Sequence, residues 1–357
     1  MIGLQNGLHP NLDVACNRSP YRSRPHSIRI ALHQNRGNRC HRWFRRAEAQ
    51  PGKALIGDAS PVGVASVLVV PGSASRPLAQ RLAVELGGEL AATESKRFPD
   101  GEAYVRLLSQ AKGREVVVVQ ATAPDNHLVE ALLWQDAARE AGAAGVVTVI
   151  PYFGYSRQDR LFQAGEAVSA RAAARAVSAN SDHVVLIDLH KPDTLAFFGA
   201  KARNVTAVPY LADELGRWGV DAILAPDKGA RARAEQAATR LNVPVDHLEK
   251  TRLSATEVRM AAKELDVRGK RVAIVDDLIA SGSTMVQAAQ QLKQQGATAV
   301  YAACTHGLFT GNALPKILGG GVDRVLCTDT ALSGPCGCDT ISAAPAVAAA
   351  LRPVMAR

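Results

Sequence analysis

The chain has 357 residues, of which 47% are apolar and 21% are charged. That length allows two domains of ordinary size, and the apolar content is ordinary for a soluble globular protein. No apolar run reaches the roughly 18 residues that a bilayer-spanning helix needs, so we expect a soluble, cytoplasmic protein that does not bind a membrane.

The positive charge of the chain is concentrated at its beginning. Residues 1–50 contain nine arginines and two acids, a net charge of +7, whereas the whole chain carries +9. The remaining residues therefore carry only +2. Because the basic excess belongs to the tail, we expect no nucleic-acid-binding face on the folded body.

Residues 1–62 differ in composition from the rest of the chain, since they are rich in Arg, Asn, His, Ser and Pro and have no sustained apolar period. We predict a disordered basic extension. Three explanations stay open: a targeting peptide, a basic tail that touches anions, or translated sequence upstream of the true start. The segment has no apolar run typical of a secretory signal, and we favour a non-essential extension.

The cysteines do not indicate a zinc site. They lie at positions 16, 40, 304, 327, 336 and 338, which is not the paired spacing of zinc ligands. Cys336 and Cys338 form one close pair whose role the sequence does not reveal. Reduced thiols are the default expectation.

From residue 66 onwards, apolar strands alternate with helical patterns. Strands are predicted over residues 66–70, 115–120, 145–151, 183–189, 222–225, 271–275, 299–303 and 324–327. Helices are predicted over residues 77–87, 126–141, 168–177, 230–241, 284–295 and 343–351. Such alternation predicts an α/β protein with two domains, each a mostly parallel sheet flanked by helices. We place these domains over residues 63–205 and 206–342, followed by a C-terminal helix over residues 343–357 that is in a position to pack back on the first domain.

Residues 271–284 combine a β-branched apolar strand, two adjacent carboxylates and a turn of small residues before a helix. The start of a helix offers unpaired N–H groups and a favourable dipole to a phosphate. Asp276 and Asp277 cannot bind that phosphate, but they can hold ribose hydroxyls or a hydrated Mg²⁺. The turn adds hydroxyl donors on Ser281, Ser283 and Thr284. The stretch therefore offers sites for the 5-phosphate and the diol of a sugar phosphate, and the alternative is an ordinary turn with a solvated acidic pair.

Further polar residues stand where other strands are predicted to end, notably Asp188 with His190, and Asp227. Ligands of parallel sheets lie beyond the carboxyl ends of the strands, so these residues are expected to converge. His190 could bind Mg²⁺ or a phosphate chain, although a lone histidine is more often structural. Asp227 could bind Mg²⁺ beside a polyphosphate or serve as a helix N-cap.

A segment over residues 151–160 is dense in hydrogen-bond donors. Arg157 and Arg160 could clamp phosphates with their forked donors, and Gln158 could read a base edge. A solvated basic turn is the alternative reading.

Two more segments carry charges on predicted loops. Lys250 and Arg252 stand among residues with little apolar content, which favours a mobile lid that closes over a transferring phosphate. A surface charge cluster is the alternative. Phe98 precedes a Pro-Asp-Gly turn whose ligand nothing in the residues identifies.

Taken together, these blocks resemble the ribose-phosphate pyrophosphokinase family, also called phosphoribosyl pyrophosphate synthetases. The resemblance covers the chain from about residue 67 to about residue 350 and implies two phosphoribosyltransferase-type domains, with ATP on the side of residues 63–205 and ribose 5-phosphate on the side of residues 206–342. The matching blocks, in order, are Phe98-Pro-Asp-Gly-Glu102, Pro151 to Arg160, Asp188-Leu-His190, Pro226-Asp227, Lys250-Thr-Arg252 with Glu257-Val258, Asp276 to Thr284, and Thr305-His-Gly307.

The resemblance implies transfer of the diphosphoryl group of ATP to the C1 hydroxyl of ribose 5-phosphate, with Mg²⁺ as cofactor and phosphoribosyl pyrophosphate and AMP as products. It implies a catalytic role for Lys250 and Arg252, and metal contacts at His190 and Asp227. The implied ATP-binding residues are Phe98, Asp100, Glu102, Arg157, Gln158 and Asp159. The implied ribose-5-phosphate-binding residues are Asp276, Asp277, Ser281, Gly282, Ser283 and Thr284. The first three ATP-binding residues are implied to reach the site of a neighbouring subunit, so a homo-oligomer is expected.

The chain departs from the common family pattern at Ala280, where most members have Asp, and at Ala230, where most have Gly. The stretches Pro226 to Ala230 and Lys250-Thr-Arg252 look more like the archaeal-type branch, which leaves open the oligomer size and any regulation by phosphate and ADP. A phosphoribosyltransferase and a silent regulatory paralogue are the rival readings. The Arg157-Gln158 block argues against the first rival, and the intact loop cations and acid pair argue against the second.

Overall fold

In the computed structural model, residues 67–252, 258–262, 265–331 and 337–355 are described. All of them belong to one unit of the chain, Ser60–Arg357. The extension predicted over residues 1–62 lies outside the described residues, and so do Glu257 and Cys336.

The first half of the chain forms a parallel sheet and a separate hairpin. Its strands are β1 (Leu68–Pro71), β2 (Glu89–Leu90), β3 (Thr93–Arg97), β4 (Ala103–Leu107), β5 (Glu115–Val119), β6 (Gly145–Ile150), β7 (His183–Ile187) and β8 (Ala202–Val205). Six strands make the parallel sheet in the order β2-β1-β5-β6-β7-β8. Runs such as the four valines of β5 suit strands that are covered on both faces. Strands β3 and β4 pair with each other in antiparallel fashion.

Helices cover the faces of this sheet. They are α1 (Arg76–Leu86), α2 (Asp125–Glu140) and α3 (Ser169–Ala179), and a 3-10 helix spans Pro192–Phe198. In α3 the buried residues recur at helical spacing, namely Ala170, Ala173, Ala174 and Val177. That spacing gives one apolar stripe toward the sheet and leaves the arginines of the helix outside.

The second half forms a seven-stranded sheet. Its strands are β9 (Ala222–Ala225), β10 (Val245–Arg252), β11 (Val258–Ala262), β12 (Arg271–Ile279), β13 (Ala299–Gly307), β14 (Arg324–Thr328) and β15 (Asp339–Ile341). The order is β11-β10-β9-β12-β13-β14-β15, and only the β10–β11 pair within this described sheet is antiparallel. The helices are α4 (Val208–Arg217), α5 (Arg231–Leu241), α6 (Ser283–Gln294), α7 (Ala313–Gly319) and α8 (Ala344–Met355).

The last helix returns to the first half of the chain. Val347 and Leu351 of α8 are fully buried in the same core cluster as Leu78 and Leu82 of α1. The C-terminal segment therefore helps to bury the face of the first sheet. None of the helices in the described residues has the length and apolar character that a bilayer span requires.

The predicted fold class is confirmed, because both halves are mostly parallel sheets flanked by helices. The predicted ends of two strands are wrong. Strand β12 continues through Asp276 and Asp277 to Ile279, and β13 continues to Gly307, because the two strands stay paired as far as these residues. The partner strand supplies hydrogen bonds that local composition does not reveal.

The loop predicted around Lys250 and Arg252 is also wrong in its secondary structure. Both residues belong to β10, and their backbone pairs with β11 opposite Met260 and Val258. The side chains of these two cations lie outside what the structure describes. Antiparallel pairing can hold a polar segment as a hairpin, whereas its composition had indicated a loop.

Candidate active site

A cleft of about 380 Å³ lies where strands of the two sheets end. Its walls come from the segments that follow β7 and β9 and from the last part of β12 with the turn behind it. The sequence-predicted site residues that it brings together are Arg157, His190, Asp227, Asp276, Asp277, Ser281, Gly282, Ser283 and Thr284. The convergence expected at the carboxyl ends of parallel strands is therefore present in one chain.

The turn between β12 and α6 has the geometry of an anion site. Gly282 has φ of 72°, a left-handed conformation that residues with a Cβ rarely adopt. A Cβ there would lie 2.5 Å from Cγ1 of Ile317, so the turn packs tightly against α7. The first N–H groups of α6 have no partner within the helix, so they are donors that this turn can offer to a phosphate.

Lys316 of α7 adds a cation beside this turn. Its Nζ donates a hydrogen bond to Oγ of Ser283 at 2.7 Å. Lys316 was not among the predicted site residues, because a lysine on an amphipathic helix carries no local signal of a site. Only the packing of α7 on the Gly282 turn places its charge next to the anion site.

Asp276 and Asp277 are neighbours in β12 but have different ionisation. Burial and the negative charge of Asp277 raise the pKa of Asp276 from 3.8 to about 8. Burial would also raise the pKa of Asp277, but the hydrogen bond from His190 and the charge of Arg233 outweigh it and lower that pKa. Near neutral pH the pair thus carries about one negative charge, and Asp276 can both donate and accept hydrogen bonds.

His190 bridges the two halves of the chain. Its Nδ1 lies 2.8 Å from Oδ2 of Asp277. Asp277 is only 3% exposed, whereas the side chain of His190 is 35% exposed to the cleft region. This contact leaves Nε2 as the ring nitrogen that is available to a ligand.

Asp227 is held rigidly at the turn before α5. Its Oδ1 accepts hydrogen bonds from the backbone N–H groups of Gly229 at 2.8 Å and Ala230 at 3.1 Å. These bonds close a local turn over residues 227–230, whereas the N-cap of α5 is Ala230, so the sequence-predicted alternative of Asp227 as the helix N-cap is wrong. Asp227 can hold this turn and bind a metal ion at the same time. Both backbone N–H groups donate to Oδ1, and the residue lines the cleft, so Oδ2 can serve as a ligand.

Arg233 is a cleft residue that the sequence analysis missed. It lies in the first turn of α5, and its Nη2 donates to the carbonyl oxygens of Leu189 at 2.8 Å and His190 at 3.3 Å. An arginine in an Ala/Arg-rich helix gives no signal of such a role. Only the approach of α5 to the segment after β7 shows it.

Arg157 lies between the cleft and a second cavity. It lines both the first cleft and a cavity of about 590 Å³ that also includes Tyr152 and Tyr155. Gln158 instead donates to Oε2 of Glu166 at 3.2 Å. Gln158 and Asp159 line neither of these two cavities.

A buried polar network joins the two sheets behind the cleft. Oδ2 of Asp188 accepts hydrogen bonds from Ala207 N at 2.9 Å and from Thr305 Oγ1 at 2.6 Å. Nε2 of His306 lies 3.3 Å from the carbonyl oxygen of Asp188, and its Nδ1 lies 2.8 Å from Oγ1 of Thr330. Burial lowers the pKa of His306, which favours a neutral ring in this network.

Comparison with known proteins identifies the family of the chain. Residues 67–180 match the N-terminal domain of ribose phosphate pyrophosphokinase, and residues 206–316 match the phosphoribosyl transferase domain. A ribose-phosphate pyrophosphokinase of Methanopyrus kandleri is 47% identical over 293 residues, which cover 80% of this chain and 98% of that relative. The chain belongs to the ribose-phosphate pyrophosphokinase family.

Other relatives extend the comparison. A ribose-phosphate pyrophosphokinase of Methanosarcina mazei is 40% identical over 285 residues, which cover 79% of this chain and 94% of the relative. The crystal structure of phosphoribosylpyrophosphate synthetase from Mycobacterium smegmatis has a TM-score of 0.72 and 28% identity, and the match covers 82% of this chain and 99% of that chain. The resemblance identified from the sequence is confirmed, including its similarity to archaeal relatives.

The remaining residues predicted from the ribose-phosphate pyrophosphokinase motifs lie elsewhere in the chain. Phe98, Asp100 and Glu102 occupy the tip of the β3–β4 hairpin, where Asp100 Oδ1 accepts from Glu102 N at 3.1 Å. Phe98 is 44% exposed, and none of the three lines the cleft. The structure therefore does not bring this part of the predicted ATP site to the other residues of the same chain.

Proposed function

We propose that this chain transfers the diphosphoryl group of ATP to the C1 hydroxyl of ribose 5-phosphate, giving 5-phosphoribosyl 1-pyrophosphate and AMP for nucleotide biosynthesis. One observation carries the proposal. The turn over residues 281–284, which we assign to the phosphate of the sugar, lines the same cleft as Arg157, His190 and Asp227. The chain that carries this cleft belongs to the ribose-phosphate pyrophosphokinase family. The two substrates of such a transfer would meet there.

The acceptor half of the proposed site is the segment from Asp276 to Thr284. We assign the 5-phosphate to the N–H groups and hydroxyls of residues 281–284, with Lys316 adding positive charge. We assign the ribose hydroxyls to Asp276, and this assignment is supported by its pKa of about 8, because a protonated carboxyl group can accept one hydrogen bond and donate another. Asp277 is largely engaged by His190 and Arg233, so we give it the indirect role of holding these cleft residues.

The donor half is made of Arg157, His190 and Asp227. Arg157 can bind phosphate oxygens with its forked donors while it also borders the second cavity. Gln158 and Asp159 remain proposed ATP-binding residues on the motif alone. Both residues directly follow Arg157 in the sequence.

Mg²⁺ is the proposed cofactor. Within the described residues, no group of three His, Cys, Asp or Glu side chains is arranged to hold a metal ion. Mg²⁺ usually takes one or two carboxylates and completes its coordination with substrate phosphates and water. Asp227 supplies an oxygen ligand of the kind that Mg²⁺ prefers, and His190 can donate to a phosphate oxygen or a metal-bound water. When bound, the ion would add positive charge beside the phosphates.

Two further parts of the proposal rest on the family motifs. We propose that Lys250 and Arg252, on the β10–β11 hairpin, stabilise the charge of the transferring group. We also propose a homo-oligomer in which Phe98, Asp100 and Glu102 of one subunit reach the ATP site of another. The exposed position of Phe98 on a hairpin tip supports that arrangement. The cytoplasmic location predicted from the sequence stays a prediction.

The reaction can be tested by following ATP and ribose 5-phosphate in the presence of Mg²⁺ and without any nucleobase. We expect one AMP and one phosphoribosyl pyrophosphate for each ribose 5-phosphate consumed, and phosphorus NMR should show the β-phosphorus of ATP bonded to the oxygen on C1. A reaction without ribose 5-phosphate is the control for simple ATP hydrolysis. Absence of AMP in the complete mixture would contradict the proposal, and a reaction that needs a base would favour a phosphoribosyltransferase.

A further inference from the structure

Arg233 connects three segments that meet at the cleft. Its side chain is only 15% exposed, and its Nη2 lies 3.8 Å from Oδ2 of Asp277. The same Nη2 donates to the carbonyl oxygens of Leu189 and His190. A side chain from α5 in the second half of the chain thus holds the backbone that follows β7 in the first half.

These contacts fix His190 from two sides. Asp277 holds its ring through Nδ1, and Arg233 holds its backbone carbonyl group. Both of these partners belong to the second half of the chain, whereas His190 belongs to the first. Arg233 and Asp277 also contact each other, so the three residues form a closed set across the two sheets.

The chemistry of this set depends on a guanidinium group. The two N–H groups of Nη2 have fixed directions in the guanidinium plane, so Nη2 can donate to both carbonyl groups, while the permanent charge of the group faces the Asp277 carboxylate 3.8 Å away. A lysine ammonium is a compact point charge on a flexible stem, and it would not reproduce the same directions.

A contribution to the stability of the fold is a poor explanation for the buried pair of Arg233 and Asp277. Burying a charged pair is costly, and replacing it with apolar residues of similar volume is often neutral or stabilising. Arg240, at the other end of α5, shows the ordinary alternative. It pairs with Asp213 at 2.8 and 3.0 Å at the surface, where its side chain is 57% exposed. Arg233 instead turns inward to the backbone beside His190.

We propose that Arg233 is a positioning residue for diphosphoryl transfer, which sets the separation of the donor and acceptor halves of the cleft through Leu189, His190 and Asp277. The inference rests on the proposed function. Transfer between two bound substrates depends on their alignment, and a displacement of about 1 Å can cost about 100-fold in rate. Arg233 acts through its neighbours and not through the substrates. Each substrate alone should therefore still bind to its own half of the cleft when Arg233 is replaced.

The test compares Arg233→Met and Arg233→Lys with the matched variants Arg240→Met and Arg240→Lys on the same helix. Four quantities are measured for each full-length protein: Tm, kcat, and the Kd values of ribose 5-phosphate alone and of ATP alone. For both Arg233 variants we expect kcat to fall about 100-fold while each Kd changes by less than about threefold. Both Arg240 variants should have the same kcat as the unaltered protein. All assays are run well below the lowest Tm of the set.

Three results would overturn the inference. The first is an unchanged kcat in Arg233→Met. The second is a loss of affinity for one substrate as large as the loss of kcat, which would make Arg233 a substrate-binding residue. The third is full recovery of kcat at lower temperature, which would make its role purely structural. If the unaltered protein releases no AMP, the proposed function fails, and this inference fails with it.

Discussion

Nδ1 of His190 and Oδ2 of Asp277 lie 2.8 Å apart although His190 follows strand β7 of the first sheet and Asp277 belongs to strand β12 of the second. The lowered pKa of Asp277 keeps it ionised, so its oxygen accepts and His190 Nδ1–H donates. This hydrogen bond fixes the orientation of the imidazole ring, so Nε2 faces away from Asp277. The relationship gives Asp277 a role in holding the donor half of the cleft, although its motif belongs to the acceptor half.

Replacing Asp277 with Asn should therefore impair the donor half. We expect kcat to fall about 10- to 100-fold, because changes to residues that orient a metal-binding side chain typically have effects of this size. Combining Asp277→Asn with His190→Ala should cost little more than His190→Ala alone, because the first change acts through the histidine. Steady-state kinetics of the two single variants and the double variant would measure this, and fully additive losses would contradict it.

The raised pKa of Asp276 predicts how the stability of the ligand-free protein depends on pH. The folded protein keeps a proton on Asp276 at pH values where the unfolded chain has lost it. Its contribution to the free energy of unfolding therefore declines as the pH rises from 3.8 toward about 8. Asp276→Asn should remove this decline, so the variant should gain stability relative to the unaltered protein as the pH rises.

Thermal unfolding of both proteins at several pH values between about 5 and 9 would measure the difference. Other groups with shifted pKa values, such as His306, are present in both proteins, so the difference curve reports Asp276. We expect the gain in the variant to reach a few kcal/mol at most, because each pKa unit corresponds to about 1.4 kcal/mol and relaxation reduces the full value. A difference that does not change with pH would show that Asp276 is ionised throughout.

The sequence predicted the alternating fold and most of the cleft because both depend on local patterns. The valine run of β5 and the small residues after β12 carry their own signals. Arg233 and Lys316 carry none, since their roles arise only when α5 and α7 pack against other segments. The extension of β12 through Asp276 to Ile279 was missed for a similar reason, because its pairing with β13 continues across polar residues.

Lys250 provides a test of the β10–β11 hairpin. If its charge stabilises the transferring phosphate, Lys250→Ala should reduce kcat by several orders of magnitude while ATP still binds. Lys270, which lies just before β12 and outside the lining of the cleft, is a suitable control for the loss of a surface lysine. Turnover in Lys250→Ala equal to that of the control would refute the proposed role.

Gly282 should be intolerant of a side chain for two separate reasons. Its φ of 72° strains any residue with a Cβ by about 1–2 kcal/mol, and a Cβ would lie 2.5 Å from Ile317 Cγ1. We expect Gly282→Ala to lower Tm and to weaken ribose 5-phosphate binding. Gly311→Ala is the control, because its φ is 60° but nothing lies within 4 Å of the added Cβ. Adding Ile317→Ala to Gly282→Ala should restore part of the binding, and equal effects of both glycine changes would argue against the clash.

The hydrogen bond between Thr305 and Asp188 should contribute to the association of the two sheets. Thr305→Val keeps the shape of the side chain but removes the donor that lies 2.6 Å from the buried Oδ2 of Asp188. A buried acceptor that loses a partner costs about 1–3 kcal/mol, which should lower Tm by several degrees. Thr298→Val is the matched control, because the hydroxyl of this exposed threonine makes only a 3.4 Å contact with the carbonyl oxygen of Gly269. Equal Tm values for the two variants would mean that Ala207 N satisfies the Asp188 carboxylate by itself, and that the threonine contributes nothing to holding the sheets together.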